Sequence, residues 1–150
     1  MDKLRSLGST PFFEDIESGD EIPSVVKRPT SVQLFRFSAV TWNPHRIHYD
    51  KPYAESEEYP DILVQSHLHG CFLSETVMRW AGPNARLVRF GWQNRRFAVP
   101  GDVLTCSGQV KKTSVSEGVG LVECELEERN QDGELCAPGW ATVELPRRHT

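Results

Sequence analysis

The sequence predicts an α+β domain in which a curved antiparallel sheet wraps one long buried helix. Residues 66–80 carry apolar side chains around most of a helical circumference, and a helix of that kind is normally covered by other structure. In the second half of the chain, apolar and polar residues alternate with a period of two, which is typical of strands with one buried face and one solvent-exposed face. The economical packing places the helix in the concave side of the sheet.

Size and charge exclude several classes of protein. The chain has 150 residues, about one domain, which we place at residues 1–150, and its formal net charge is −4. A domain of this length buries roughly 68–70% of the surface that its unfolded chain exposes, so it needs no disulfide bonds or metal ions to stabilise it. There is no basic stripe to bind nucleic acid and no apolar run near the ~20 residues of a membrane helix. Residues 1–10 are polar and do not resemble a signal peptide, so we expect a soluble, cytoplasmic protein.

The four cysteines indicate a reducing compartment and no metal site. They are widely spaced, without a CxxC pair, and two of them lie inside apolar strand patterns: Cys71, Cys106, Cys124 and Cys136. We predict that all four are reduced and mostly buried.

The first half of the chain predicts short elements. Residues 22–27 form a short strand, and Thr30 or Ser31 then caps a helix whose apolar face is Val32, Phe35 and Ala39. Asp50 can cap another short helix, with Pro52 in its first turn.

The second half predicts an antiparallel meander of four long strands after the long helix at 66–80. The strands are expected at residues 87–99, 103–110, 120–128 and 134–145, with turns at 100–102, 116–118 and 131–133. The alternation is clearest where Val122, Cys124 and Leu126 are interleaved with glutamates.

A dense polar cluster lies in FSAVTWNPHRIHYDKPYA, residues 37–54. Asn43 precedes His48 by five residues, His45 precedes it by three, and Asp50 follows it by two. A histidine and a carboxamide at that spacing can converge on one water or hydroxyl, so the stretch is the candidate site.

The cluster resembles the motif of the MaoC-like hydratases and dehydratases, which have the hotdog fold. Their common form is Ser-Gly-Asp-x-Asn-Pro-x-His, in which the histidine corresponds to His48 and the aspartate to Asn43. Residues 38–50 are similar to a subgroup that contains 3-hydroxyacyl-thioester dehydratases and mesaconyl-CoA hydratase-like enzymes. Residues 13–20 resemble the family's opening strand, residues 97–104 its Pro-Gly-Asp turn and residues 130–134 its last hairpin. The pair that is usually His-Gly at the start of the long helix is Gln65-Ser66 here.

The resemblance implies a single hotdog domain that reversibly hydrates the α,β double bond of an acyl thioester linked to coenzyme A or an acyl carrier protein. His48 would be the general acid and base, since imidazole titrates near ~6.5, and Asn43 would orient the water or 3-hydroxyl. The backbone amide of Ser66 or His67 would face the thioester oxygen at the helix start. The Ser66 hydroxyl either adds a donor or caps the helix. Arg46 either binds a coenzyme A phosphate or substrate carboxylate, or forms a salt bridge with Asp50.

No cofactor is implied, because coenzyme A or phosphopantetheine is part of the substrate. His67 and His69 are two residues apart on a helix and should point in different directions, which argues against a metal pair. Two other functions remain open: a non-catalytic hotdog subunit of a heteromeric dehydratase and, with Glu75 as its only helical carboxylate, a thioesterase. An open sheet edge invites pairing, so we expect a homodimer or a heterodimer with a second hotdog subunit.

Overall fold

The computed structural model describes residues 10–148 as one five-stranded antiparallel sheet curved around a long helix. This arrangement confirms the predicted fold class. The elements, in chain order, are β1 (Glu21–Lys27), α1 (Ser31–Thr41), α2 (Lys51–Ser56), α3 (Ser66–Ala81), β2 (Arg86–Trp92), β3 (Leu104–Ser116), β4 (Val119–Arg129) and β5 (Leu135–Leu145). Two single-turn 3₁₀ helices lie at Phe13–Asp15 and Arg46–His48.

The long helix and the strand alternation agree with the sequence prediction. The apolar residues of α3 that face the sheet are fully or almost fully buried: Leu68, Phe72, Leu73, Val77 and Ala81. In β4, Val122, Cys124 and Leu126 point into this core, while Glu123 and Glu125 are exposed. Burying each large apolar side chain contributes roughly 1.5–3 kcal/mol, so this contact stabilises the domain.

The strand order differs from a simple meander. The order is β1-β3-β4-β5-β2, so β2 pairs with β5 at the edge of the sheet and not with β3. Both edges of β3 are already taken, by β1 and β4. The strand predicted at residues 87–99 also ends early, at Trp92. A local hydrogen bond closes the turn predicted at residues 100–102, because the Val99 amide donates to the Asp102 carboxylate at 2.9 Å.

Helix α1 presents the opposite face from the one predicted. Val32 and Phe35 are exposed by 64% and 62%, whereas Leu34 and Ser38 are buried. The reason is a polar contact from outside the helix, because the buried Gln65 side chain donates to the Leu34 carbonyl and the Ser38 hydroxyl. The predicted cap is present: the Thr30 hydroxyl accepts a hydrogen bond from the Gln33 amide at 3.2 Å.

Two smaller predictions need correction. Residues 13–15 form a 3₁₀ turn in place of the opening strand, with the Phe13 amide bonded to the Pro146 carbonyl at 2.9 Å. All four cysteines are free thiols, but Cys71 is exposed while the other three are buried. Burial raises the pKa of Cys124 to about 12, which keeps that thiol protonated.

Two kinds of feature are absent from residues 10–148. None of the helices there is long and apolar enough to cross a membrane. Within the same residues, no group of three or more histidine, cysteine or acidic side chains is placed to hold a metal ion.

Candidate active site

His48 lies at the end of the 3₁₀ turn Arg46–His48 and is held against the segment that leads into α3. The Leu63 amide donates to the Ile47 carbonyl at 2.8 Å, and His48 Nδ1 lies 2.9 Å from the Leu63 carbonyl oxygen. These two bonds tie the imidazole to Leu63, which lies three residues before Ser66, the first residue of α3. The structure thus ties the turn that carries the candidate base to the segment that leads into the candidate oxyanion site.

The Leu63 contact fixes the tautomer of His48. A carbonyl oxygen can only accept a hydrogen bond, so Nδ1 carries the proton and Nε2 keeps the lone pair. Burial lowers the pKa of His48 below 6.5; the bond to Leu63 opposes this effect and the charge of His45 adds to it. The side chain is only 7% exposed, so His48 is a neutral imidazole with one basic nitrogen near neutral pH.

Asn43 follows the C-terminal end of α1. Trp42 ends the helix in the left-handed region, with φ 54°, and the Asn43 amide still donates to the Ser38 carbonyl at 2.9 Å. The Asn43 side-chain oxygen accepts the His45 amide at 3.2 Å, and the His45 ring meets the His48 ring edge-on at 5.8 Å. The carboxamide NH₂ group is thus the part of Asn43 left to donate to a bound oxygen.

An apolar cavity of about 220 Å³ opens beside Asn43. Its lining residues are Phe35, Ser38, Ala39, Trp42, Asn43, Pro44 and Tyr49. Asn43, Ser38 and Tyr49 contribute polar side chains to that wall, and the Tyr49 hydroxyl donates to the Pro44 carbonyl at 2.8 Å.

Arg46 is engaged locally. Its guanidinium donates through Nε and Nη2 to one carboxylate oxygen of Asp50, at 2.9 and 2.6 Å, and stacks over the Tyr53 ring at 4.5 Å. The Arg46 bond lowers the pKa of Asp50, which also caps α2 by accepting the Tyr53 amide. Of the two sequence-based alternatives for Arg46, the salt bridge is present.

The first turn of α3 exposes unpaired backbone donors. Gln65 is the N-cap and makes no side-chain capping bond, so the Ser66 hydroxyl is not a cap. Within residues 10–148, neither the Ser66 amide nor the His67 amide donates to a protein acceptor. Unpaired N–H groups at the positive end of a helix dipole suit a developing oxyanion.

Two residues whose roles were not predicted from the sequence, Gln65 and Trp92, hold this turn. Gln65 is fully buried; its Nε2 donates to Leu34 O at 2.7 Å and Ser38 Oγ at 2.9 Å, while its Oε1 is the one buried side-chain polar atom without a partner among the described residues. Trp92 Nε1 donates to the Ser66 carbonyl at 3.1 Å. The amide directly after the apolar run Ile62-Leu63-Val64 was a sequence signal for Gln65, but no local feature of the sequence indicated the role of Trp92.

His67 and His69 point in different directions, as their spacing predicts. His67 is exposed and its ring lies 5.6 Å from that of Trp92, whereas His69 is buried against Glu128. The role of the His69–Glu128 pair was not anticipated from the sequence.

Comparison with known proteins agrees with this architecture. The structure of an R-hydratase, PhaJ1 from Pseudomonas aeruginosa, superposes with a TM-score of 0.82 at 20% identity, over 91% of this chain and 86% of that one. The ChsH1-ChsH2 complex from Mycobacterium tuberculosis gives 0.76 at 21% identity, over 86% of this chain and 98% of that one. At these identities the likeness establishes the fold alone, a hotdog domain.

The sequence comparisons are more specific. The family model for hydroxyacyl-thioester dehydratase type 2 matches residues 14–100, more than half of the chain, and the chain belongs to that family. It is 58% identical over 43 residues to mesaconyl-C(4)-CoA hydratase of Chloroflexus aurantiacus, which is 28% of this chain and 15% of that protein. The curated relatives that it matches are thus covered over only 15% of their length.

Proposed function

We propose that the protein reversibly hydrates the α,β double bond of an acyl thioester linked to coenzyme A or an acyl carrier protein. The observation that carries this proposal is the buried His48, whose Nδ1–H is committed to the Leu63 carbonyl and whose Nε2 is left as a base. Membership of a hydroxyacyl-thioester dehydratase family supports the same chemistry.

In the hydration direction, His48 Nε2 removes a proton from water as the water oxygen bonds to C3. The electron pair of the double bond moves toward the thioester, whose oxygen gains enolate character. The imidazolium then returns its proton to C2, so the imidazole is regenerated and the product carries one H and one OH more than the substrate. Dehydration is the reverse of these steps. A single residue supplies both proton transfers, in the manner of general acid–base catalysis.

Asn43 has the complementary role of holding the oxygen. Its Oδ1 already accepts from the His45 amide, and its NH₂ group is available to donate to the attacking water or the leaving 3-hydroxyl. A carboxamide cannot accept a proton at neutral pH, and the proton transfer therefore falls to His48 alone.

The unpaired amides of Ser66 and His67 are the donors for the thioester oxygen, with the Ser66 hydroxyl available as a further donor. Donors aimed at a developing oxyanion are each worth about 10²–10³ in kcat. Arg46 keeps part of its guanidinium in solvent while paired with Asp50, and these N–H groups can bind a coenzyme A phosphate or a substrate carboxylate.

The test is a panel of trans-2-enoyl-CoA and (R)-3-hydroxyacyl-CoA thioesters, with loss or gain of the enoyl absorbance as the measurement. We expect turnover by the wild-type chain and a loss of at least about 10³-fold in kcat for His48→Asn, a fall near the upper end of general acid–base contributions. Asparagine can still donate to the Leu63 carbonyl but has no basic nitrogen, so the fold is retained. Turnover by His48→Asn close to the wild-type rate would refute the assignment of His48.

A second candidate is a non-catalytic hotdog subunit that completes a catalytic partner. Two observations support this second candidate. One structural neighbour is the two-component ChsH1-ChsH2 complex. The segment that matches the curated relatives is also only a small part of their length. Absence of turnover with every acyl group in a pure dimer would favour this reading. The thioesterase reading is weaker, because Glu75 is paired with Lys27 at 2.5 Å and with Arg79 at 3.4 Å.

We also propose that the domain works as a dimer, with itself or with a second hotdog subunit. The edge strand β2 and the open cavity beside Asn43 support this assembly, because an unpaired strand edge is a template for pairing.

A further inference from the structure

The proposed mechanism leaves one buried pair of ionisable side chains unused. His69 Nδ1 lies 2.5 Å from Glu128 Oε1, and the two side chains are 2% and 0% exposed. The Cys106 thiol donates weakly to the other carboxylate oxygen of Glu128 at 3.7 Å.

The pair joins the first turn of α3 to the sheet. His69 is the fourth residue of the helix, and its amide donates to the Gln65 carbonyl at 3.2 Å. Glu128 is the penultimate residue of β4 and lies on the inward face that also carries Leu126. The bond therefore fixes the rotation of the helix start against the strand beneath it.

Two further side chains hold the same turn from other directions. Gln65 ties it to α1 through the Leu34 carbonyl and the Ser38 hydroxyl, and Trp92 ties it to β2 through the Ser66 carbonyl. The turn has no side-chain cap, so these contacts from three elements replace the local bonds that usually order a helix start.

Stability alone does not account for the buried pair. Replacing a buried ion pair with apolar residues of similar volume is often neutral or stabilising, because desolvation offsets the attraction. What an apolar pair lacks is direction, since a hydrogen bond fixes both distance and angle. An oxyanion site needs this direction, because its donors must lie 2.7–3.1 Å from the position of the developing charge.

We propose that His69 and Glu128 are positioning residues that aim the Ser66 and His67 amides at the thioester oxygen. This inference rests on the proposed function, and it adds a determinant of the oxyanion site that lies in the core behind it. Neither side chain touches the substrate.

The probe is a conjugated dienoyl-CoA, whose ultraviolet band moves to longer wavelength when its thioester oxygen accepts strong hydrogen bonds. It is bound to His48→Asn protein, so no turnover interferes. The double variant His69→Leu/Glu128→Met removes both partners together and leaves no buried charge unpaired. We expect it to fold, to bind the probe and to lose most of the red shift.

Two further variants separate positioning from packing. His69→Asn keeps an N–H donor near the Nδ1 position and should restore much of the shift. Lys27→Met removes another polar link between α3 and the sheet, the one to Glu75 in the middle of the helix, and should leave the shift unchanged. With His48 intact, the double variant should lose about tenfold or more in kcat with KM within about twofold, the pattern of an interaction made in the transition state.

The outcomes are distinguishable. A red shift that the folded double variant retains in full refutes the positioning role and leaves the proposed function standing. An equal loss of the red shift in Lys27→Met also refutes the positioning role, because any polar link between α3 and the sheet would then be enough to hold the amides in place. No red shift in the protein with an intact His69–Glu128 pair refutes the oxyanion assignment, and this inference with it.

Discussion

Three influences on the pKa of His48, not all of the same sign, decide how it can act as a base. Burial lowers its pKa, the hydrogen bond to the Leu63 carbonyl raises it, and the nearby His45 charge lowers it further, with burial the largest effect. The net direction is downward, so the neutral form with a free Nε2 persists to lower pH than in an exposed histidine.

The pH profile of the free enzyme should report this shift. We expect the acidic limb of kcat/KM to bend below pH 6.5, the ordinary value for histidine, because only neutral His48 can accept the proton. The measurement is kcat/KM for an enoyl-CoA between pH 4.5 and about 8, within the range where the protein remains folded. A limb that bends at or above 6.5 would contradict a desolvated base.

The same shift links folding to pH with a defined sign. The unfolded chain has the higher pKa at residue 48, so it binds this proton first as the pH falls and the free energy of unfolding decreases. The loss begins near 6.5 and ends at the lower folded pKa. Urea unfolding of the wild-type chain and of His48→Asn across this window should show a steeper pH dependence for the wild type, whereas parallel curves would count against a lowered pKa.

Asn43 offers a test of how the site divides its work. In Asn43→Asp, one carboxylate oxygen can keep the His45 amide while the other accepts from the bound water. The new negative charge should favour the imidazolium of His48 and move the acidic limb of kcat/KM upward by about one pH unit. Asn43→Ala is the control, with reduced kcat and an unmoved limb. An unmoved limb in Asn43→Asp would mean that positions 43 and 48 do not share a site.

At the scale of single elements, α3 shows how close packing sets the geometry of the site. A Cβ added at Gly70 would lie 2.8 Å from the Trp92 ring, the same ring that donates to the Ser66 carbonyl. Glycine is therefore required at this position despite its poor helix propensity.

Gly70→Ala should destabilise the protein. The helix-propensity gain of about 1 kcal/mol is smaller than the 1–3 kcal/mol usually lost by overpacking, so we expect a net loss of about 1 kcal/mol. Urea unfolding measures it, with Ser74→Ala on the same helix as the control. A more stable Gly70→Ala would show that Trp92 is free to move away.

Periodicity identified the kind of each main element but not its neighbours. The bounds of α3 and the alternation in β4 follow directly from the side chains that must be buried. The strand partner of β2 cannot be predicted in this way, because it depends on which strand edge is free. The buried face of α1 cannot be predicted either, because it depends on the Gln65 amide, which lies far away in sequence. The spacing of Asn43 and His48 was readable, whereas the His69–Glu128 pair joins residues 59 apart that only the fold brings together.

At the scale of the whole molecule, the two edges of the sheet are unlike. Strand β1 carries Pro23 inside a bulge between Ile22 and Val25, and proline and bulges both discourage pairing. Strand β2 also has a register shift, between Leu87 and Arg89, but it has no proline. The Gln93 amide points to β5 through its bond to the Pro138 carbonyl, so by alternation the Phe90 amide points to the free edge. We therefore expect β2 to be the edge that pairs with a second hotdog domain.

This asymmetry predicts how assembly can be broken. The wild-type chain should sediment at twice 17.0 kDa, about 34 kDa, if it forms a homodimer. Phe90→Pro removes an N–H from the free edge and loses the ring, whereas Phe90→Ala loses the ring alone. We expect only the proline variant to be fully monomeric. Ser24→Pro, on the other edge, should remain dimeric.

The outcomes separate the assembly models through the strand that each one uses. Equal dissociation of Phe90→Ala and Phe90→Pro would show that packing, not backbone pairing, holds the subunits together. Dissociation by Ser24→Pro would place the interface at β1. A wild-type chain that sediments as a monomer and gains both mass and turnover only with a second hotdog chain would establish the heteromeric form, in which β2 is the edge kept open for a different partner.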